Sequence, residues 1–227
     1  MNPSLHAYQI DPDSPVTLNN WMTSLDQVCT EKYFIGLQGI ILFIGQTIGA
    51  LFLTHFSDTF GRKKTMIFHG AAFAVLIMIS TRAPNLGWSY ASLFFIGLLF
   101  VPRSATTFTF MQEINPDYNH EMTTLWAYIV DVVTLVISGL FLRYTRDVFM
   151  FLDILGAITL GCIAILTVYL PESSRYLYSK RRYDEMESNF SLKMKYNGIS
   201  DPNGALAKIY RERLVGLKTT TKKTKDS

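Results

Sequence analysis

Between Tyr33 and Phe56 the chain runs for 24 residues without an Asp, Glu, Lys or Arg. As an α-helix rising 1.5 Å per residue, this run would reach about 36 Å, enough to cross a hydrocarbon core of roughly 30 Å with some tilt. It ends at a short charged turn, Ser57-Asp58-Thr59-Phe60-Gly61-Arg62-Lys63-Lys64, and a second apolar run follows from Thr65 to Thr81. The turn is therefore expected at a membrane face. Three consecutive cations, Arg62, Lys63 and Lys64, place it on the cytoplasmic-type side under the positive-inside rule.

The same alternation continues along the chain. Apolar runs over 33–56, 65–81, 88–111, 123–142 and 148–170 predict an all-α, polytopic membrane bundle of about five spanning helices. A polar arm (1–32) precedes it and a basic, amphipathic tail (171–227) follows. The overall hydrophobic content of 49% thus averages a strongly apolar middle with a cationic end. Of the 21 Lys and Arg, sixteen fall in segments expected inside, thirteen of them after Pro171. Four, Lys32, Arg82, Arg143 and Arg146, fall outside, and Arg103 lies within a span. This bias predicts an outside-type N-terminus and an inside-type C-terminus. The arm carries Asp11, Asp13, Asp26 and Glu31, no Arg and no apolar run, so no cleavable signal or transit peptide is expected. The chain reads as an integral, multi-pass membrane protein of unspecified membrane. Cys29 and Cys162 should lie at different depths, which argues against a disulfide framework. In the tail, one helix is expected from Ser174 to Asn197, stopping at Gly198, and a second would place Leu206, Ile209, Tyr210, Leu214 and Leu217 on one face.

The charged turn resembles the signature between the second and third helices of the major facilitator superfamily of solute carriers. The matching positions are Asp58, Gly61, Arg62, Lys63 and Lys64, while Thr54 and Thr59 stand where the family has Gly and a cation. Further on, Glu113 and Pro116 match a Glu-x-x-Pro pattern that ends the family's fourth helix, with His120 and Glu121 at its Arg and Gly positions. Pro171-Glu172-Ser173-Ser174-Arg175-Tyr176-Leu177 closely resembles the motif after the sixth helix in sugar and organic ion carriers. Trp21-x-x-Ser24-Leu25-Asp26-x-Val28-Cys29 is similar to the segment before the second helix in the organic cation branch. The resemblance implies an N-terminal half only, with counterparts of helices two to six and apparently without the first. It also implies that Glu113, Pro116, Pro171, Glu172 and Arg175 form inner-face motifs, and that the charges of the Glu113 pattern belong to a network on that face that helps latch the two halves of a carrier.

Three charges fall inside predicted spans: Arg103, Asp131 and Asp153. Arg103 and Asp131 would sit at similar depth on antiparallel helices, and a charge near the bilayer centre costs on the order of 2.5 to 3.5 kcal/mol on insertion scales, which favours pairing between them. Asp153 lies nearer the outer surface, within reach of water or Arg146. His69 reads as a packed interior residue. Gly36-x-x-Gly39 and Gly45-x-x-x-Gly49 offer small-residue faces for close helix contact.

The sequence shows no catalytic triad spacing, no phosphate-cradling Gly loop and no His or Cys cluster, so neither an enzyme, a metal, a cofactor nor a nucleic-acid partner is expected. The resemblance implies substrate binding between two six-helix halves near mid-membrane, lined by the first, fourth, seventh and tenth helices, of which this chain supplies one. The first expectation is accordingly a carrier-derived structural or accessory subunit of a larger membrane complex, with the bilayer and other membrane subunits as partners. The alternative is a transporter of organic ions or sugars, possibly completed by another chain, with the small-molecule substrate left open.

Overall fold

The computed structural model describes residues 17–27, 30–115, 119–196, 198, 201 and 204. They form two units, 1–170 and 171–227. In the first, α1 (Trp21–Ser24) precedes five helices long and apolar enough to cross a membrane: α2 (Lys32–Phe52), α4 (Arg62–Ser80), α5 (Leu86–Ile114), α6 (His120–Thr145) and α7 (Val148–Tyr169). A short helix, α3 (Phe56–Phe60), sits between α2 and α4. The expected all-α membrane bundle is what the chain folds into.

The charged turn is more structured than its residues suggest. Ser57, Asp58 and Thr59 lie within α3, and the chain reverses at Gly61, whose φ of 108° is open to glycine and strained for other residues. Arg62 then opens α4 directly. At the opposite end of the bundle, Asn85 caps α5 by accepting from the Trp88 N–H at 2.8 Å, and Asp147 caps α7 by accepting from the Met150 N–H at 2.9 Å.

α5 is the central element. It packs against α2 on one side and α4 on another, and α4 in turn packs against α7. Small residues permit the closest of these approaches. A Cβ at Gly45 would collide with the Phe94 carbonyl, one at Gly49 with the Leu98 carbonyl, and one at Gly97 with the Leu42 carbonyl. Gly45 and Gly49 are therefore spent inside the bundle, on α5, and do not offer an outer face to a partner. Gly36 and Gly39, by contrast, have nothing among the described residues within 4 Å of where a side chain would begin. α5 also carries Pro102, fully buried, in its interior.

The described part of the N-terminal arm is docked. Asn19 exchanges backbone hydrogen bonds with the α6–α7 corner, its N–H donating to the Arg146 carbonyl (2.8 Å) and its carbonyl accepting from the Val148 N–H (3.0 Å). Trp21 donates its indole N–H to the Ser80 carbonyl at 3.0 Å and meets Phe149 edge-on.

In the second unit, α8 (Ser174–Ser179) and α9 (Tyr183–Tyr196) replace the single helix expected from Ser174 to Asn197. The break is a left-handed residue, Arg181 (φ 58°). Its N–H returns to the Tyr178 carbonyl and that of Arg182 to the Leu177 carbonyl, a Schellman ending built without glycine. Gly198, at φ 79°, follows the end of α9. The second expected tail helix, Leu206 to Leu217, lies outside the described residues, as do Val28, Cys29 and Pro116.

Candidate functional site

At the end of the bundle formed by the signature turn, Arg62 links three helices. From the first position of α4, its Nη1 reaches the Asp58 carboxylate on α3 at 2.7 Å and donates to the Ser57 hydroxyl at 2.6 Å. Its Nε reaches Glu113, near the end of α5, at 3.3 Å. Asp58 is largely exposed (62%), whereas Glu113 is 9% exposed and Arg62 20%. The two arms of this cluster therefore differ. The Asp58 arm is an i,i+4 pair in solvent, of the kind that contributes about 0 to 1 kcal/mol. The Glu113 arm holds a desolvated carboxylate whose loss of a charged hydrogen bond costs about 1.5 to 3 kcal/mol.

Of the signature residues, the structure brings Asp58, Arg62 and Glu113 into one cluster, with Gly61 supplying the turn between the helices. Lys64 is exposed on the first turn of α4. The last motif lies in the second unit, where Ser173 caps α8 by accepting from the Tyr176 N–H and Leu177 is buried. The Glu172 carbonyl accepts from the Asn189 side chain of α9 at 3.2 Å, which engages the amide of the only Asn-x-Ser sequon in this region. Pro171 is half-buried and Arg175 is exposed.

The intramembrane charges depart from expectation. Arg103 does not pair with Asp131. Its guanidinium lies over the Phe73 ring of α4, 4.4 Å from the centroid, with Phe100 at 6.0 Å, and among the described residues its Nε has no hydrogen-bond partner. A cation on an aromatic face keeps part of its electrostatic stabilisation without an anion. Asp131 is on the exposed surface of α6, a helix that barely touches α5, so equal depth does not bring the two into contact, although Asp131 lies near enough to attract Arg103 through space. Asp153 is paired, but with Arg82 and not Arg146: two parallel hydrogen bonds of 2.9 and 3.0 Å join them, and the Thr81 hydroxyl donates a third at 3.0 Å. Asp153 raises the Arg82 pKa through these bonds. His69 of α4 is buried, and among the described residues its Nδ1 has no hydrogen-bond partner.

Sequence reasoning missed Ser57, Phe73, Thr81 and Arg82. Arg82 carried a usable signal: a single Arg just past the end of one span, on the same side as a single Asp just inside another. Phe73 carried none, since nothing distinguishes it from other apolar residues of α4.

A profile described as "Sugar (and other) transporter" matches residues 13–225. The chain belongs to this family of the major facilitator superfamily. Among similar proteins, solute carrier family 22 member 4 of Mus musculus is 25% identical over 94% of this chain and 38% of its own length. The major myo-inositol transporter IolT of Bacillus subtilis (strain 168) is 24% identical over 73% of this chain and 36% of its own length. Organic cation/carnitine transporter 2 of Homo sapiens is 25% identical over 83% and 34% respectively. The chain thus spans little more than a third of the relatives it matches. The Asp58–Arg62–Glu113 cluster joins the charged turn to the end of α5.

Proposed function

We propose that this chain is the helix-two-to-six portion of a solute carrier and serves the movement of a small organic solute across a membrane, together with the helices that complete the path. The observation that carries this reading is the Arg62 cluster, which ties α3, α4 and α5 at one membrane face. Apolar contacts would hold a permanent scaffold together as well, because removing charges from water offsets much of their attraction. Charged contacts suit a face that must open, since water replaces them when they separate. The names of the relatives, which speak of organic cations, carnitine and myo-inositol, suggest a small polar or charged solute.

Proteoliposomes holding this chain together with a complementary carrier half provide the test. Uptake of a labelled quaternary ammonium compound or of labelled myo-inositol should exceed that of empty vesicles, and Glu113→Gln should lower it while the protein still accumulates. No uptake of either solute by the assembled halves would remove the proposal.

The accessory-subunit reading draws on one separate observation: α6 spans 26 residues and none is buried, leaving a whole apolar helix for other proteins to cover. Stoichiometric recovery of other membrane proteins in mild detergent, with no flux in any combination, would favour it over transport.

A further inference from the structure

Beside the signature cluster, and separate from it, a groove of about 480 Å³ opens between the end of α2, the short helix α3 and the first turns of α4. That volume falls in the range of about 300–1,000 Å³ usual for small-ligand sites. Leu53, Phe56, Phe60, Phe68 and His69 supply apolar and aromatic walls, and Lys64 supplies the one full charge. The three phenyl rings are exposed by 42, 58 and 66%, and Phe56 and Phe60 stack on each other at 5.6 Å.

Depth orders these residues. Lys64 is the third residue of α4, whereas Phe68 and His69 are a turn or more further in, roughly 6 to 8 Å along the axis from Lys64. The groove therefore has a cationic mouth at the membrane face and an apolar interior running toward the bilayer core. Arg62 is committed to Asp58, Ser57 and Glu113. Lys64 is exposed, and among the described residues no carboxylate is paired with it.

We infer that this groove seats an acidic phospholipid of the adjoining leaflet, its phosphate against the Lys64 ammonium and one acyl chain along Phe56, Phe60 and Phe68. Charge complementarity selects the head group, since a zwitterionic lipid would bring a second cation to the mouth. The position of Lys64 at the start of a spanning helix selects a lipid over a water-soluble anion, because the head and the chain then lie at the depths they already occupy in a bilayer.

Native mass spectrometry of the purified full chain in mixed micelles would test the inference, with phosphatidylglycerol and phosphatidylcholine of identical acyl chains supplied in equal amounts. Phosphatidylglycerol should be retained roughly fivefold over phosphatidylcholine, the preference expected from one well-placed cation at a membrane surface. Lys64→Glu should abolish that preference, Lys64→Arg should keep it, and Phe60→Glu, at an exposed wall position, should reduce retention of both lipids. Far-ultraviolet circular dichroism would establish that each variant keeps its helices. Equal retention of the two lipids by the parent chain, an undiminished preference in folded Lys64→Glu, or retention of oleate without phosphatidylglycerol would each overturn the inference.

Discussion

α5 and α6 are neighbours in sequence, similar in length and both long enough to cross a membrane, yet they are used in opposite ways. α5 buries Ser89, Ser92, Gly97, Leu99, Pro102, Thr106 and Phe110 and contacts both α2 and α4. α6, whose most apolar stretch exceeds that of α5, buries nothing. Hydrophobicity decides which segments reside in lipid, but it gives no preference for another helix over acyl chains. What distinguishes α5 is its small residues, which let neighbouring backbones approach. α6 instead presents a surface of Val, Ile, Leu and Trp, and its Gly139 has nothing near it.

The largest expected effect is at the α2–α5 contact. Gly49→Val would drive a branched side chain into the Leu98 carbonyl, and overpacking of this kind costs about 3 kcal/mol. Thermal unfolding in detergent should show a loss of several degrees; an unchanged midpoint would mean that α2 and α5 are not packed as described.

Next in size is the role of Arg103. A double-mutant cycle between Arg103 and Phe73, using Arg103→Leu and Phe73→Leu, should give a coupling of about 0.5 to 2 kcal/mol from the cation on its ring. The corresponding cycle between Arg103 and Asp131 should give a smaller coupling, from attraction at a distance without contact. The reverse pattern would bring α6 into the bundle and erase much of the contrast drawn above.

Asp147 should give a smaller effect. It accepts from the Met150 backbone N–H and from the Asn19 side chain, and these bonds hold its pKa below the ordinary carboxylate value. The stabilisation is thus fully present above the unfolded-state pKa and is lost as pH falls through the folded value. Asp147→Ala should cost about 1 kcal/mol at neutral pH, as for other caps. The difference between variant and parent should shrink in acid; a constant difference would assign the effect to something other than the carboxylate. Smallest of all, Gly139→Ala in α6 should be neutral or slightly stabilising, because Ala is favoured over Gly in helices by about 1 kcal/mol and nothing obstructs it. A marked loss at Gly139 would reveal a neighbour for α6.

Much of the bundle was legible because spans and signature residues are local signals. An uncharged run declares a membrane helix without reference to any other segment, and Asp58, Gly61 and Arg62 lie within five residues of one another. Glu113 was legible through its resemblance to a known pattern, but its contact with Arg62, 51 positions away, emerged only in the structure. Arg82 and Asp153, by contrast, are 71 positions apart, and their pairing depends on α4 and α7 being neighbours, which hydropathy does not state. The Arg103–Asp131 expectation failed for the same reason in reverse: equal depth fixes height in the bilayer but not adjacency around the bundle. The tail helix was misread at Arg181 because its left-handed turn uses neither Gly nor Pro. The docking of Asn19 and Trp21 was hidden in a segment whose composition suggested only an extended arm.

Pro102 and Gly49 belong to one device. Proline has no N–H to give the carbonyl four residues earlier, which on α5 is that of Leu98, and it is against this carbonyl that Gly49 of α2 lies. The orphaned acceptor is thus offered the Cα–H of a glycine on another helix, a weak but real substitute. Sliding α2 by a turn would bring Leu53 against this carbonyl in one direction, and in the other would seat Gly45 there while driving Ile41 into the Phe94 carbonyl that Gly45 now faces. The two glycines of α2 and the proline of α5 thus act together as a notch that sets the axial register of the two helices.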